Sequence, residues 1–533
     1  MANNSSADVV IVGSGVAGGL VAHQLASAGA SVIVLEAGPR LARSQILSNF
    51  RNSPAKGDYV SPYPSMPYAP HPQYSPANQY LIQKGPTPYN VQYLRLVGGT
   101  TWHWAAAAWR LLPSDFKLKT TYGVGRDWPI PYQTLAPWYD AAEAELGVSG
   151  PALSIDLGSP RTKPYPMAQL PLSYMDARFS DVLNANGFKV VPEPMARNSR
   201  PYDARPTCCG SNNCMPICPI AAMYSGIVHT DKAEAAGAKL IDRAVAYQIE
   251  ADGTGRIAAV HYKDPSGAAT RVAGKHFVLA ANAIETPKLM LMSTSSKFPN
   301  GIGNRSDQVG RNLMDHLGTL VHFMANEALW PGRGPMEMTS VVNFRDGAFR
   351  SEYAAKKLHL WNGDGTIGNT QALLDEGVTG PELDRQIRER SARRLTVNSF
   401  HEQLPHPENR IVPSATHKDA LGIAQPEVSY SIDDYVKKSA VHTHALYAQI
   451  ADLFGGTEVT FGDSLGPNSH IMGTTIMGSN PNDSVVDADC RTHDHPNLFL
   501  ATSGVMPSAG SVNCTLTIAA LALRVADTLK HEI

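Results

Sequence analysis

The chain reads as an α/β protein of two domains, and three observations say so. A short apolar strand, a glycine-rich turn, a helix and a second β-branched strand occupy the first 36 residues. A buried strand running into a helix returns near residue 280, and another follows near residue 497. The stretch from about 320 to 460 instead alternates short strands with charged loops. The first two observations predict a Rossmann-like domain assembled from interleaved segments, and the third predicts a second, sheet-based domain. A length of 533 residues exceeds what one core usually serves.

Residues 9–12 form the first strand, which breaks into Gly13-Ser14-Gly15-Val16-Ala17-Gly18. Residues 20–28 continue as a helix and 31–35 as a strand ending on Glu36. Gly13 permits a tight turn, Gly15 lets backbone approach a pyrophosphate, and Gly18 lets helix and strand pack closely. The helix start offers free N–H groups and a positive dipole end. Glu36 stands where a ribose diol would be read, so the segment is a dinucleotide-binding candidate.

Composition narrows the function classes. A net charge of −2 gives no electrostatic case for nucleic acid or anionic lipid. No apolar run is long enough to span a membrane. MANNSSADVV has no basic or apolar leader and no twin arginine, so taken alone it predicts a cytoplasmic protein. With 44 Gly and 39 Pro, long ordered loops are expected.

Residues 41–95 are rich in Pro, Tyr, Ser and Asn, and so many aromatics predict an excursion packed over a cleft rather than a disordered insert. Gly98-Gly99-Thr100-Thr101-Trp102-His103-Trp104 follows: a turn, two hydroxyls and a His between indoles. A helix is expected at 129–147, helix–strand–turn–strand at 233–274, and a strand leading through Asn282 into a helix after it. Strands are expected at 358–360, 395–400 and 427–432. The resulting division is 1–160, 208–310 and 462–533 for the nucleotide-binding domain, 311–461 for the substrate domain, and 161–207 as a linker and substrate-side segment.

Four of six cysteines, Cys208, Cys209, Cys214 and Cys218, lie within eleven residues, the last followed by Pro219. Such spacing is a poor disulfide framework, and the doublet spoils a zinc pattern. Clustered thiolates before a Pro suit an iron–sulfur cluster. Successive side chains diverge, so Cys208 and Cys209 are not expected to share one cluster; three ligands point to a 3Fe–4S group, with the choice within the doublet open. Cys490 and Cys514 read as packed thiols.

Near the C-terminus, His470 precedes a Gly-Thr turn, and Asn513 stands at the start of an apolar helix at 515–528. A neutral imidazole can take an alcohol proton, and a helix start can stabilise a reduced ring. His401, Glu402, Asn409, Arg410 and Trp330 are secondary candidates for a substrate pocket. His442/His444 and His493/His495 read as structural.

Taken together, the turn at 13–18 with Glu36, Gly98 to Thr101, Asn282 to Pro287, Gly310 to His316, His470 to Gly478 and Asn513 to Ile518 resemble the glucose-methanol-choline flavin oxidoreductases over essentially the whole chain. The cysteine stretch narrows the resemblance to the catalytic subunits of bacterial FAD-dependent sugar dehydrogenases. It implies oxidation of a sugar hydroxyl, the anomeric C1 hydroxyl of glucose to the lactone first, with gluconate, fructose or sorbitol as the alternative. His470 matches the family's base and Asn513 its partner. Gly13, Gly15, Gly18, Glu36, Gly98, Gly99, Thr100, His103 and Asn282 match the FAD site, with His103 where some members attach FAD covalently. Trp104, Ile471 and Cys514 depart from the usual pattern without removing a reacting group. The resemblance further implies a multihaem cytochrome c partner and a small twin-arginine-exported subunit. A periplasmic, membrane-associated location without a membrane span of its own then replaces the cytoplasmic reading.

Overall fold

The computed structural model describes residues 5–54, 60–72, 80–363, 365–462 and 465–533. The first strand, Ser5–Val12, is buried along its second half and sits in the middle of a sheet. Its neighbours are parallel: Val32–Leu35, then Lys239–Ile241, on one side and Ala269–Leu279 on the other. Leu498–Leu500 joins Ala269–Leu279 in parallel, so three distant segments share one sheet, as the interleaving predicts. Ile257–Lys263 and Val245–Ala251 extend it antiparallel. Val16–Ser27, Ile227–Ala235 and Thr515–Lys530 pack together over this sheet, where all-Val/Ile/Leu strands need cover.

The second domain is built on an antiparallel sheet in the order Thr457–Phe461, Leu320–Met324, Arg394–His401, Lys356–Trp361, Glu337–Val341 and Val190–Pro192. Side chains alternate across it with period two. Val321, Phe323, Leu358, Leu360, Leu395 and Val397 bury one face against Phe179, Leu183, Tyr447 and Ile450 of the helices Tyr174–Ala185 and Asp434–Leu453. The intervening residues face a cavity between the domains.

Two expectations need correction. The 320–460 region holds helices Thr366–Asp375, Gly380–Arg393 and Asp434–Leu453 between its strands. The last has its apolar positions at helical spacing and an Asp433 side chain capping its first turn. Ala424–Ser429 is a strand, but it pairs with Arg410–Lys418 and Ile82–Gln83 in a separate small sheet. Within the expected linker and substrate-side segment, residues 174–185 form a helix and 190–192 a strand of the substrate sheet. Of the aromatic excursion, 55–59 and 73–79 lie outside the described residues; Pro72, Tyr80, Leu81 and Tyr89 to Arg95 wall the cavity. Among the described residues no helix is long and apolar enough to cross a membrane.

Candidate active site

The nucleotide end is shaped by glycine. Gly13 has φ +101°, and a Cβ there would meet the Ala280 carbonyl oxygen at 2.7 Å. At Gly18 a Cβ would lie 2.0 Å from the Gly13 oxygen, so this residue serves packing and does not line the cavity. Gly15 differs: a Cβ there meets nothing within 4 Å, leaving a cradle before the first turn of Val16–Ser27. Glu36 accepts from Ser14 N and Oγ at 3.0 and 2.6 Å and from Gly38 N at 2.9 Å. Burial pushes its carboxyl up, against those bonds, which hold it down. The acid thus braces the turn while facing the cavity.

Gly99, Thr100 and His103 line the cavity, whereas Gly98 lies behind its wall, where a Cβ would press on Trp102 and Ile227. Asn282 lines it too, but its Oδ1 is used to cap the helix Glu285–Met292 through Ile284 N and Glu285 N. His103 is buried, its Nε2 has no hydrogen-bond partner, and burial lowers it to about 4. The cavity holds about 930 Å³, within the range of cofactor pockets. An open cradle at Gly15, a bare imidazole nitrogen and this volume fit FAD.

At the other end His470 and Asn513 meet, with Asn513 Nδ2 3.2 Å from His470 Nε2. The proton on His470 can be assigned from its neighbours. His316 Nε2 lies 3.0 and 3.2 Å from the Gly510 and Ala509 carbonyl oxygens, which only accept, so Nε2 carries the hydrogen. Burial lowers His316 to about 4, keeping it neutral, and its bare Nδ1 faces His470 Nδ1 at 2.9 Å. The hydrogen in that contact therefore belongs to His470, and His470 Nε2 is left with a lone pair toward the cavity. Burial first, then His316, Lys357 and His359, hold His470 well below the ordinary histidine range. Lys357 donates to Asn513 Oδ1 at 3.3 Å and to Glu193 Oε1 at 2.8 Å, which turns the amide hydrogens toward His470. Asp315, raised to about 7 by burial, accepts from Tyr89 and from the backbone N–H groups of His316, Asn468 and His470.

The cavity face of the substrate sheet carries Leu320, His322, Glu337, His359, Trp361, Thr396, Asn398 and Phe400. The secondary candidates lie elsewhere. His401 bonds Ser399, Glu402 pairs with Arg350, Asn409 bonds Ser431, Arg410 pairs with Asp307, and Trp330 is 49% exposed. His442 stacks on Tyr353, His444 contacts Thr319, His493 bonds Ser484, and His495 bonds Gly255 and Gly303. Their roles are structural. Sequence reasoning passed over His316 as a single residue, although it ends the Gly310 motif, and over Glu337, His359 and Asn398. The available signal was alternation: these are the polar positions between core positions of three strands.

The cysteine loop lies against the same cavity, which Met215 lines. Cys218 O accepts from Arg43 at 2.6 Å, Arg43 covers the Trp102 ring, and Tyr63 bonds Pro216 O. Cys214 is buried, Cys208 and Cys218 are half-buried, and Cys209 is exposed. Burial raises the Cys208 thiol, with Cys214 and Cys218 among the smaller influences. Among the described residues no three His, Cys, Asp or Glu side chains close up into a single-ion site. Cys490 and Cys514 are buried thiols pushed up to about 12.

A model described as FAD dependent oxidoreductase matches residues 8–126, and GMC oxidoreductase models match 209–318 and 396–522. The protein is thus an FAD-dependent oxidoreductase. The fructose dehydrogenase large subunit of Gluconobacter japonicus is 51% identical over 99% of this chain and 98% of its own. This chain belongs to the glucose-methanol-choline (GMC) oxidoreductase family. More distant relatives are a 2-methyl-1,2-propanediol dehydrogenase of Mycolicibacterium austroafricanum (28% identical; 98% of this chain, 95% of the relative) and a gluconate 2-dehydrogenase flavoprotein of Pantoea cypripedii (22%; 98% and 94%). The fold is that of a solved pyridoxine 4-oxidase from Mesorbium loti (TM-score 0.63, 16% identical, covering 98% of this chain and 99% of the other) and a formate oxidase of Aspergillus oryzae (0.67, 14%, 100% and 99%).

Proposed function

We propose that the protein is the catalytic subunit of a sugar dehydrogenase, with D-fructose ahead of D-glucose as donor. The order reverses the sequence expectation because the 51% identical relative is a fructose dehydrogenase large subunit. The observation that carries the catalytic reading is the unprotonated Nε2 of a neutral His470 at the cavity wall. That atom takes the hydroxyl proton as a substrate hydroxyl replaces the 3.2 Å contact with Asn513. Asn513, held by Lys357, orients the donor, and the start of Thr515–Lys530 offers positive potential beside it. Bound FAD would supply the hydride acceptor, held by the Gly13–Gly18 turn, Glu36, Gly99 and Thr100.

His103, with its bare Nε2, is the site of a covalent histidyl link to FAD. Cys208, Cys214 and Cys218 would hold an iron–sulfur cluster, with the exposed Cys209 outside the set; such a cluster would supply single-electron transfer. The large-subunit relative supports partner subunits, here an exported small subunit and a cytochrome c at the periplasmic face of a membrane.

Dye-linked turnover tests the reading. D-Fructose should reduce a dye acceptor, and His470→Ala should lower kcat by about 10²–10⁴-fold with flavin content unchanged. Full activity in the variant, or no turnover with D-fructose, D-glucose, sorbitol or gluconate, overturns it. For the link, denatured wild-type protein should keep yellow fluorescence on a gel and His103→Ala should lose it; fluorescence retained in the variant excludes His103.

A further inference from the structure

Three polar atoms in the cavity wall have no hydrogen-bond partner: Glu337 Oε2, His359 Nδ1 and Asn398 Oδ1. Glu337 is 4% exposed and His359 1%. Buried polar atoms left bare are costly and uncommon, and three in one wall mark a place built for a partner. The sheet brings them together. His359 and Asn398 are register partners on adjacent strands, and His359 Nε2 lies 3.7 Å from Glu337 Oε1. Phe400 spans the gap to the base, its ring centroid 4.5 Å from His359 and 5.0 Å from His470.

None of these three side chains brings a positive charge. Burial holds His359 neutral, and burial first, then the nearby Glu193, raises the Glu337 carboxyl to about 7 against the pull of Lys357 and Arg197. The wall offers a carboxyl group, an imidazole and an amide oxygen, donors and acceptors that match hydroxyl groups. The cations that act on Glu337, Lys357 and Arg197, do not line the cavity. Lys357 is bound by Glu193 and Asn513, while Lys288 pairs with Glu285 and Arg95 bonds Tyr80 and Pro70.

We propose that Glu337, His359 and Asn398 form a recognition subsite for the hydroxyl groups of an uncharged sugar or polyol, and that this subsite disfavours donors bearing a carboxylate. The proposal rests on the sugar-oxidising reading and selects within it: a carboxylate placed here finds neither Lys357 nor Arg197 in the cavity wall beside it and meets the Glu337 carboxyl. Hydroxyls of the donor satisfy the three bare atoms and position the reacting carbon beside His470.

The test is dye-linked kinetics of the holoenzyme with D-fructose, D-glucose, sorbitol and D-gluconate, for wild type, Glu337→Ala and Asn398→Ala. In each variant KM for the best neutral donor should rise about tenfold or more, with kcat falling much less and bound flavin unchanged. Wild-type kcat/KM for gluconate should be about a hundredfold below that of the best neutral donor. If one variant loses its flavin, the other decides. Unchanged KM in a flavin-loaded variant, or gluconate as the best donor, overturns the subsite. Wild type that turns over none of the four donors defeats the sugar-oxidising reading instead, a distinct result.

Discussion

In the proposed reading His470 acts as the base, and two neighbours prepare it. His316 fixes its tautomer through carbonyl groups at 509 and 510, and Asp315 ties down the backbone around it. Glu337 supplies a pH-dependent check at the same scale. Its folded pKa lies above the ordinary 4.5, so the protonated acid is the form the fold accepts, and the stability tied to it is lost as pH rises through neutrality. Glu337→Gln, neutral at every pH, should therefore exceed wild type in thermal midpoint at pH 8, and the advantage should shrink toward pH 4.5. A difference independent of pH contradicts the raised value. His470 and Asn513 were legible because each sits in a local pattern: a His before a Gly-Thr turn, an Asn before an apolar helix. His316 was not, because its role depends on carbonyls almost two hundred residues away.

The strands at 320–324, 356–361 and 394–401 make one face core and the other cavity wall by simple alternation. Sequence patterning identified the strands at 358–360 and 395–400 but not the one at 320–324, and could not say that their polar face would line a cavity rather than meet bulk solvent. It missed the helix Asp434–Leu453 because an amphipathic stripe with charged gaps also resembles strands broken by loops. A buried ion cluster ties this domain to the other: Arg350 donates to Asp115 Oδ1 at 2.8 Å and to Glu402 Oε1 at 2.7 Å, all three buried. Asp115 O in turn accepts from Ser508 Oγ, in the segment leading to Asn513. Arg350→Ala leaves two carboxylates without their partner and should cost about 3–5 kcal/mol, read by denaturant unfolding. A loss below about 1 kcal/mol would show that the cluster does not brace the domains.

On the scale of the whole molecule, a sheet drawn from three distant segments and a second antiparallel sheet enclose one cavity. The nucleotide turn lies at one end, the His470–Asn513 pair and a polar sheet face at the other, and the cysteine loop along its wall. The nucleotide turn and the interleaving were readable because strand–turn–helix units carry their own punctuation. The enclosure was not, because it depends on how two domains close on each other. The arrangement predicts that electrons taken from a sugar reach the flavin and then the cysteine loop within a single chain. The most direct measurement is anaerobic titration of the holoenzyme with D-fructose, followed by optical and low-temperature EPR spectra. The account predicts bleaching of the flavin absorbance by stoichiometric sugar, with a change in a three-iron signal. A flavin that stays oxidised with D-fructose, D-glucose and sorbitol alike would contradict it.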